Sequence, residues 1–210
     1  MSSPMSLRVA GVVLCGGHSR RMGTPKANLA FGRESLLERM VRILSERVAP
    51  VVVVTSKDQS LPALQSEVLV VPDRLSDLGP LAGLATGLAA LGSLADAAFA
   101  TSCDAPFLQP KLIERMIDTL GSSDLAIPVD GQYHHPLAAV YRVGIADEIS
   151  SMLENGVRRP TALLDHPGIS ATTIDVEKLR DVDPGLESFR NLNTPEDYKL
   201  ALRDANLSPA

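Results

Sequence analysis

Tryptophan is absent from the 210 residues, and only four phenylalanines and three tyrosines are present. A core must therefore be assembled from Val, Leu, Ile and Ala, and the aromatic platforms that hold single-stranded nucleic acid are missing. Cysteine is nearly absent too, with Cys15 and Cys103 the only two. Two thiols build no disulfide framework, and no Cys/His spacing for zinc occurs, so a reducing, cytoplasmic setting is the expectation. Nor is positive charge in excess. Twenty Lys and Arg stand against 25 Asp and Glu, a formal net charge of -5, which speaks against general binding of nucleic acid or of anionic membranes. Any anionic ligand has to be caught locally.

Apolar runs fit for a membrane are missing as well. Arg8 with the following "VAGVVLC" resembles a lipoprotein signal, but the stretch is too short and bulky Leu14 precedes Cys15. Residues 78–95 carry no charge, yet they hold four glycines and a proline and lack aromatic anchors, unlike a spanning helix. No repeat, low-complexity tract or linker interrupts the chain, so one domain over residues 1–210 is expected.

What is present alternates. Residues 8–14 and 51–55 read as buried strands, 68–71 and 97–102 as further strands, and later strands are expected near 124–129, 137–142 and 171–176. Between the first two, Leu37, Val41, Leu44 and Val48 form a helical stripe opened by a Ser35/Glu38 capping box. Helices follow within 78–95, at 110–120 and near 144–155; a last one starts at Thr194, with Pro195 in its first turn and Asp197 three residues on. Apolar strands alternating with helices predict an α/β fold of three layers, Rossmann-like, its mostly parallel sheet covered on both faces.

The turn after the first strand reads "LCGGHSRRMGTPK", residues 14–26. It sits where a parallel sheet binds ligands. Its glycines let backbone N–H groups approach an oxyanion, and Arg20, Arg21 and Lys26 add donors for several phosphate oxygens. Neither the P-loop nor the dinucleotide glycine fingerprint is matched. A plain turn with solvated arginines is the structural alternative. Asp104, in "TSCDAP" at the end of the fourth strand, is the carboxylate best placed for Mg²⁺, which takes one or two carboxylates beside phosphate oxygens and water. If the first and fourth strands are neighbours, as in a 3-2-1-4 sheet, Cys15 and Cys103 emerge side by side as reduced, buried thiols.

These residues are similar to the L-[AG]-[AG]-G-x-S-x-R-M-G-x-x-K signature of nucleotidyltransferases, and within them the chain most resembles the molybdenum cofactor guanylyltransferase family. "GPLAG" (79–83), "HHPLA" (134–138), "GVRRP" (156–160) and "NLNTPED" (191–197) continue the resemblance in order. It implies transfer of GMP from GTP to the phosphate of molybdopterin, with release of pyrophosphate. Lys26, Arg21 and Asp104 are then catalytic, Asp104 also being the ligand of Mg²⁺. The nucleotide falls to Leu14, Cys15, Gly16, Gly17, Lys26, Thr55, Asp73, Gly79, Pro80, Leu81, Gly83 and Asp104. The acceptor falls to His135, Arg158, Arg159, Asn191 and Asn193. In this reading residues 8–105 form a nucleotide half and 106–200 an acceptor half. Partners are the two substrates and, transiently, proteins that make or receive the molybdenum cofactor. Cys15 replaces the family's usual Ala, and Thr55 an Asn found in some members. A cytidylyltransferase and a non-catalytic nucleotide-binding regulator stay open as alternatives. "GPLAG" leans to guanine, and Lys26 with Asp104 leans to turnover.

Overall fold

A computed structural model describes residues 7–16, 25–73 and 78–207. The chain opens with β1 (Val9–Leu14) and, past a short 3₁₀ turn at Lys26–Asn28, a small hairpin of β2 (Ala30–Phe31) and β3 (Glu34–Ser35). Helix α1 (Leu36–Ser45) starts where the Ser35 hydroxyl accepts from the Glu38 N–H and the Glu38 carboxylate accepts from the Ser35 N–H. Strands β4 (Val51–Thr55) and β5 (Leu69–Pro72) follow, then α2 (Pro80–Leu91), β6 (Ala97–Ser102) and α3 (Pro110–Leu120). The last part comprises β7 (Leu125–Asp130), β8 (Tyr133–His134), β9 (Ala138–Arg142), α4 (Ala146–Glu154), β10 (Ala171–Asp175) and α5 (Pro195–Asp204). Thr194 and Asp197 close the anticipated capping box on α5.

The main sheet runs β10-β7-β9-β6-β1-β4-β5, with β8 paired to β7. Neighbours β6, β1, β4 and β5 are parallel, so the expected 3-2-1-4 order holds. β9 alone lies antiparallel to both its neighbours, β6 and β7. Period-two alternation sorts the strands' side chains between two layers. Val12, Leu14 and Val54 face α2 and α4, while Val13, Cys15 and Val53 face α1 and α3. Contact on the first face is close because α2 is built from Gly and Ala: an added Cβ at Gly87 would lie 2.6 Å from Val12 Cγ1. A third cluster joins Phe31 and Leu36 to Leu192, Ala201 and Leu202, tying α5 to the hairpin. No helix among the described residues is long and apolar enough to cross a membrane.

Candidate active site

The carboxyl ends of β1, β4, β5 and β6 open into a cleft of about 360 Å³. Asp104 lines it and is held in an ion pair. Lys26 Nζ lies 2.5 Å from Asp104 Oδ2, and both side chains are largely buried. The Ser102 hydroxyl donates to Asp104 Oδ1 at 2.5 Å, so each carboxylate oxygen has its own donor. Lys26 Nζ also reaches Asn193 Oδ1 at 3.4 Å. Asn193 is held from behind, since Asp197 Oδ2 accepts from its N–H at 2.9 Å. The Leu192 N–H donates to the Asp104 carbonyl at 2.9 Å, binding the C-terminal strap to the end of β6. Residues far apart in sequence are thus fastened around one carboxylate.

One wall is the start of α2. Gly79 takes φ +85°, a conformation natural to glycine, and Pro80 occupies the first helical turn. Gly83 completes the wall: an added Cβ would sit 3.2 Å from Leu14 Cδ2 and 3.7 Å from Asp73 Oδ2. Asp73 is buried at the cleft, its N–H on the Thr55 carbonyl (2.7 Å) and its Oδ1 accepting from the Thr86 hydroxyl (3.2 Å). Leu14 and Gly16 line the cleft as expected. Three expected nucleotide residues turn their side chains elsewhere. Leu81 is fully buried in the α2 core, and Cys15 belongs to the opposite face of the sheet. Thr55 directs its hydroxyl to the Ser56 carbonyl and to Gln59 Oε1. Any contact from Leu81 or Cys15 to a ligand in the cleft therefore goes through the backbone. Gly17, Arg20 and Arg21 lie outside the described residues.

The other wall carries Leu137, Asn191 and Asn193. Leu137 and Asn191 also border an adjoining hollow of about 210 Å³ that contains His135 and Phe189, whose rings are 4.5 Å apart. Tyr141 steadies this loop, its hydroxyl donating to the Pro136 carbonyl at 2.8 Å. The two arginines expected here turn their side chains away from the cleft, although the Arg158 carbonyl packs beside Gly79 in its wall, 3.6 Å from an added Cβ. Arg158 Nη1 donates to the Leu153 and Val157 carbonyls, finishing α4. Arg159 lines a further surface hollow, which shares His134 with the one around His135. Ser102, Leu137 and Phe189 were not foreseen; for Ser102 the available signal was its place two residues before Asp104.

Burial holds His135 below the ordinary histidine value. The unfolded chain therefore takes up this proton first as the pH falls, so the stability tied to the neutral ring is whole above about pH 6.5 and is lost toward the lower folded value. His135→Gln is expected to flatten the urea-stability profile just below pH 6.5; an unaltered slope assigns the acid sensitivity to another group.

Cys15 and Cys103 are both free and buried, as expected. Hydrogen bonding to Cys15, and then burial, pushes the Cys103 thiol well up. Among the described residues there is no grouping of three or more His, Cys, Asp or Glu able to enclose a metal ion.

Solved structures share this architecture. The crystal structure of molybdopterin-guanine dinucleotide biosynthesis protein A from Archaeoglobus fulgidus matches with a TM-score of 0.77 at 28% identity, over 94% of this chain and 98% of that one. The 2-C-methyl-D-erythritol 4-phosphate cytidylyltransferase of Thermus thermophilus matches with 0.69 at 15% identity, over 94% and 98%, a likeness of fold. Fold and cleft together define a nucleotidyltransferase. More narrowly, the chain belongs to the MobA-like NTP transferase domain family, which matches residues 11–174. A Mycobacterium tuberculosis relative is 42% identical over 170 residues, covering 78% of this chain and 82% of its own. One from Pelotomaculum thermopropionicum is 33% identical over 195 residues, covering 93% and 92%. Both are named probable molybdenum cofactor guanylyltransferase.

Proposed function

We propose that this enzyme moves GMP from GTP to the phosphate of molybdopterin. A phosphate oxygen of the acceptor forms a bond to the α-phosphorus, the bond from that phosphorus to the bridging oxygen of the β-phosphate breaks, and pyrophosphate leaves. The observation that carries the reading is the Lys26–Asp104 pair, whose carboxylate lines a glycine-walled cleft. Two anions must be brought together there, so catalysis falls chiefly to charge neutralisation and positioning.

The donor set suits Mg²⁺. Asp73 and Asp104 both line the cleft, and this ion is ordinarily held by one or two carboxylates plus phosphate oxygens and water rather than by a protein cage. Asp104 is assigned as its ligand, and Mg²⁺ supplies neutralisation of the triphosphate. Lys26, released from Asp104 Oδ2, grips non-bridging phosphate oxygens. Arg21, by the signature it shares with the family, grips the leaving pyrophosphate. Backbone groups of Gly16 and Gly79–Gly83, with Asp73, hold the nucleoside. Asn191, Asn193 and His135 face the acceptor. Arg158 and Arg159 are left out of this assignment, because one finishes α4 and the other opens on a separate hollow.

Thermal unfolding with GTP, CTP, ATP and UTP, each with and without Mg²⁺, tests the proposal. Ligand at 100 times its dissociation constant adds about 2.7 kcal/mol, and each kcal/mol is worth about 2–4 °C at this size. A shift confined to GTP and enlarged by Mg²⁺ is expected. A shift with CTP alone transfers the assignment to a cytidylyltransferase.

A further inference from the structure

The proposed reaction makes no use of the thiols of Cys15 and Cys103. In the parallel pairing of β1 with β6, Leu14 stands opposite Ser102. The ladder runs on past both strands, for the Cys103 N–H donates to the Leu14 carbonyl at 3.1 Å. The next residues in register are the two cysteines, and both side chains turn into the same cluster with α1 and α3. Neighbouring strands lie about 4.8 Å apart, within the 4.4–6.8 Å between Cα atoms that a disulfide spans, about 5.5–6 Å being most common.

Gln59 gives the pair a direction. Its Oε1 accepts from the Ser56 N–H at 3.3 Å and the Thr55 hydroxyl at 3.2 Å. Locked in that sense, its Nε2 donates to Cys15 Sγ at 3.6 Å. Negative charge developing on sulfur is therefore favoured at Cys15. Both cysteines are buried, at 5% and 6% residue exposure, and Gly16 beside Cys15 is exposed and lines the cleft. The side on which a small oxidant would enter is that of Gly16.

We propose that Cys15 and Cys103 are a site of reversible oxidation by hydroperoxides, closing a disulfide between the strand ends that carry Gly16 and Asp104. The Cys15 sulfur attacks the terminal oxygen of the peroxide. The O–O bond breaks, the alcohol (water, for hydrogen peroxide) departs with the thiol's proton, and Cys15 becomes a sulfenic acid. The Cys103 sulfur then attacks the Cys15 sulfur. The S–O bond breaks, the hydroxide leaves as water with the Cys103 proton, and the S–S bond forms. Two thiols lose two electrons and the peroxide gains them. The bridge fixes the Cβ atoms at about 3.8 Å, which ties the strand ends that carry Gly16 and Asp104 to one mutual geometry. A displacement of about 1 Å in a positioned site costs about 10²-fold. That consequence for the cleft rests on the proposed function; the bridge itself does not.

The whole protein, treated with hydrogen peroxide, is denatured, alkylated with N-ethylmaleimide and weighed. The expected product has lost two hydrogens, takes up no maleimide, yields a linked Cys15–Cys103 peptide and reverts with dithiothreitol. In Cys103→Ser, dimedone is expected to trap a sulfenic acid on Cys15; in Cys15→Ser, Cys103 is expected to remain a thiol. Alanine versions replace either serine variant that circular dichroism shows unfolded. Two maleimides after treatment, or dimedone on Cys103 instead of Cys15, overturns the proposal. Acceptor-dependent release of pyrophosphate, measured on both forms, is expected to fall about 10²-fold on oxidation. Equal rates overturn the coupling to the cleft. Bridge formation with no activity in the reduced form strikes at the functional reading alone.

Discussion

Asp104→Ala is expected to lower turnover by about 10²–10³-fold, the usual cost of removing one preorganised charge stabiliser, and Lys26→Ala to do the same. Among the described residues each side chain is the other's ion-pair partner, at 2.5 Å. Both are largely covered, so solvent cannot stand in for the lost group. Because the two act as a unit, the double variant is expected to be little worse than either single one. Acceptor-dependent release of pyrophosphate is the measurement, and full activity in either variant refutes the assignment. Asp104→Asn isolates the charge. It leaves an oxygen and an amide in place of the carboxylate, and it is expected to abolish the Mg²⁺ dependence of nucleotide binding while the fold remains intact.

Gly87→Ala is expected to destabilise the protein by about 1–3 kcal/mol, the range for forcing an extra methyl into a packed core. The new Cβ would sit 2.6 Å from Val12 Cγ1 and 3.2 Å from Val54 Cγ2. Those valines belong to the central strands and are themselves buried, so neither has room to retreat. At about 2–4 °C per kcal/mol, the loss is visible in thermal unfolding. Val12→Ala added to Gly87→Ala is expected to recover part of it, as contacting sites are not additive. Gly83→Ala, one turn earlier, gives the contrast. Its nearest neighbour is a terminal methyl of Leu14 at 3.2 Å, the end of a side chain that lines the cleft and has to give by only a few tenths of an ångström. Stability is expected to change little, and nucleotide affinity to fall because the methyl enters the cleft. Equal loss of stability in the two variants excludes the distinction.

Local chemistry was legible in the sequence wherever it was sufficient. The apolar runs became β1, β4 and β6, the two capping boxes formed, and residues 110–120 match α3. The strand read at 68–71 lies at Leu69–Pro72, and period-two logic is weak there because this edge strand is mostly exposed. What the pattern does not hold is sense. Nothing within "AAVYR" distinguishes a strand that runs with its neighbours from one that runs against them, and the reversal of β9 emerges only from its partners β6 and β7. The short β2, β3 and β8 were missed for a related reason, each being two residues long.

The site divides in the same way. Lys26 and Asp104 stood out because a strand end followed by a cation or a carboxylate has a mechanical meaning, and the structure brings them together. Arg158 and Arg159 looked like anion ligands because two adjacent arginines say nothing about which carbonyls lie within reach. Arg158 found those of Leu153 and Val157. Cys15 and Leu81 were named with a ligand-lining stretch, but the alternation of faces along a strand or helix sends their side chains into the core.

For the proposed reaction, the backward course of β9 bears on the spacing of the two reactants. Its first residue, Ala138, is paired with Thr101 near the end of β6, so the loop that enters it comes out at the rim from which Asp104 springs. Had this strand run forward, the same loop would have begun at the opposite rim, a strand length away, or about 16 Å for five residues. One change of polarity thus puts the β8–β9 loop and Asp104 on a single edge of the sheet. If donor and acceptor bind as proposed, the gap between them follows from strand pairing alone.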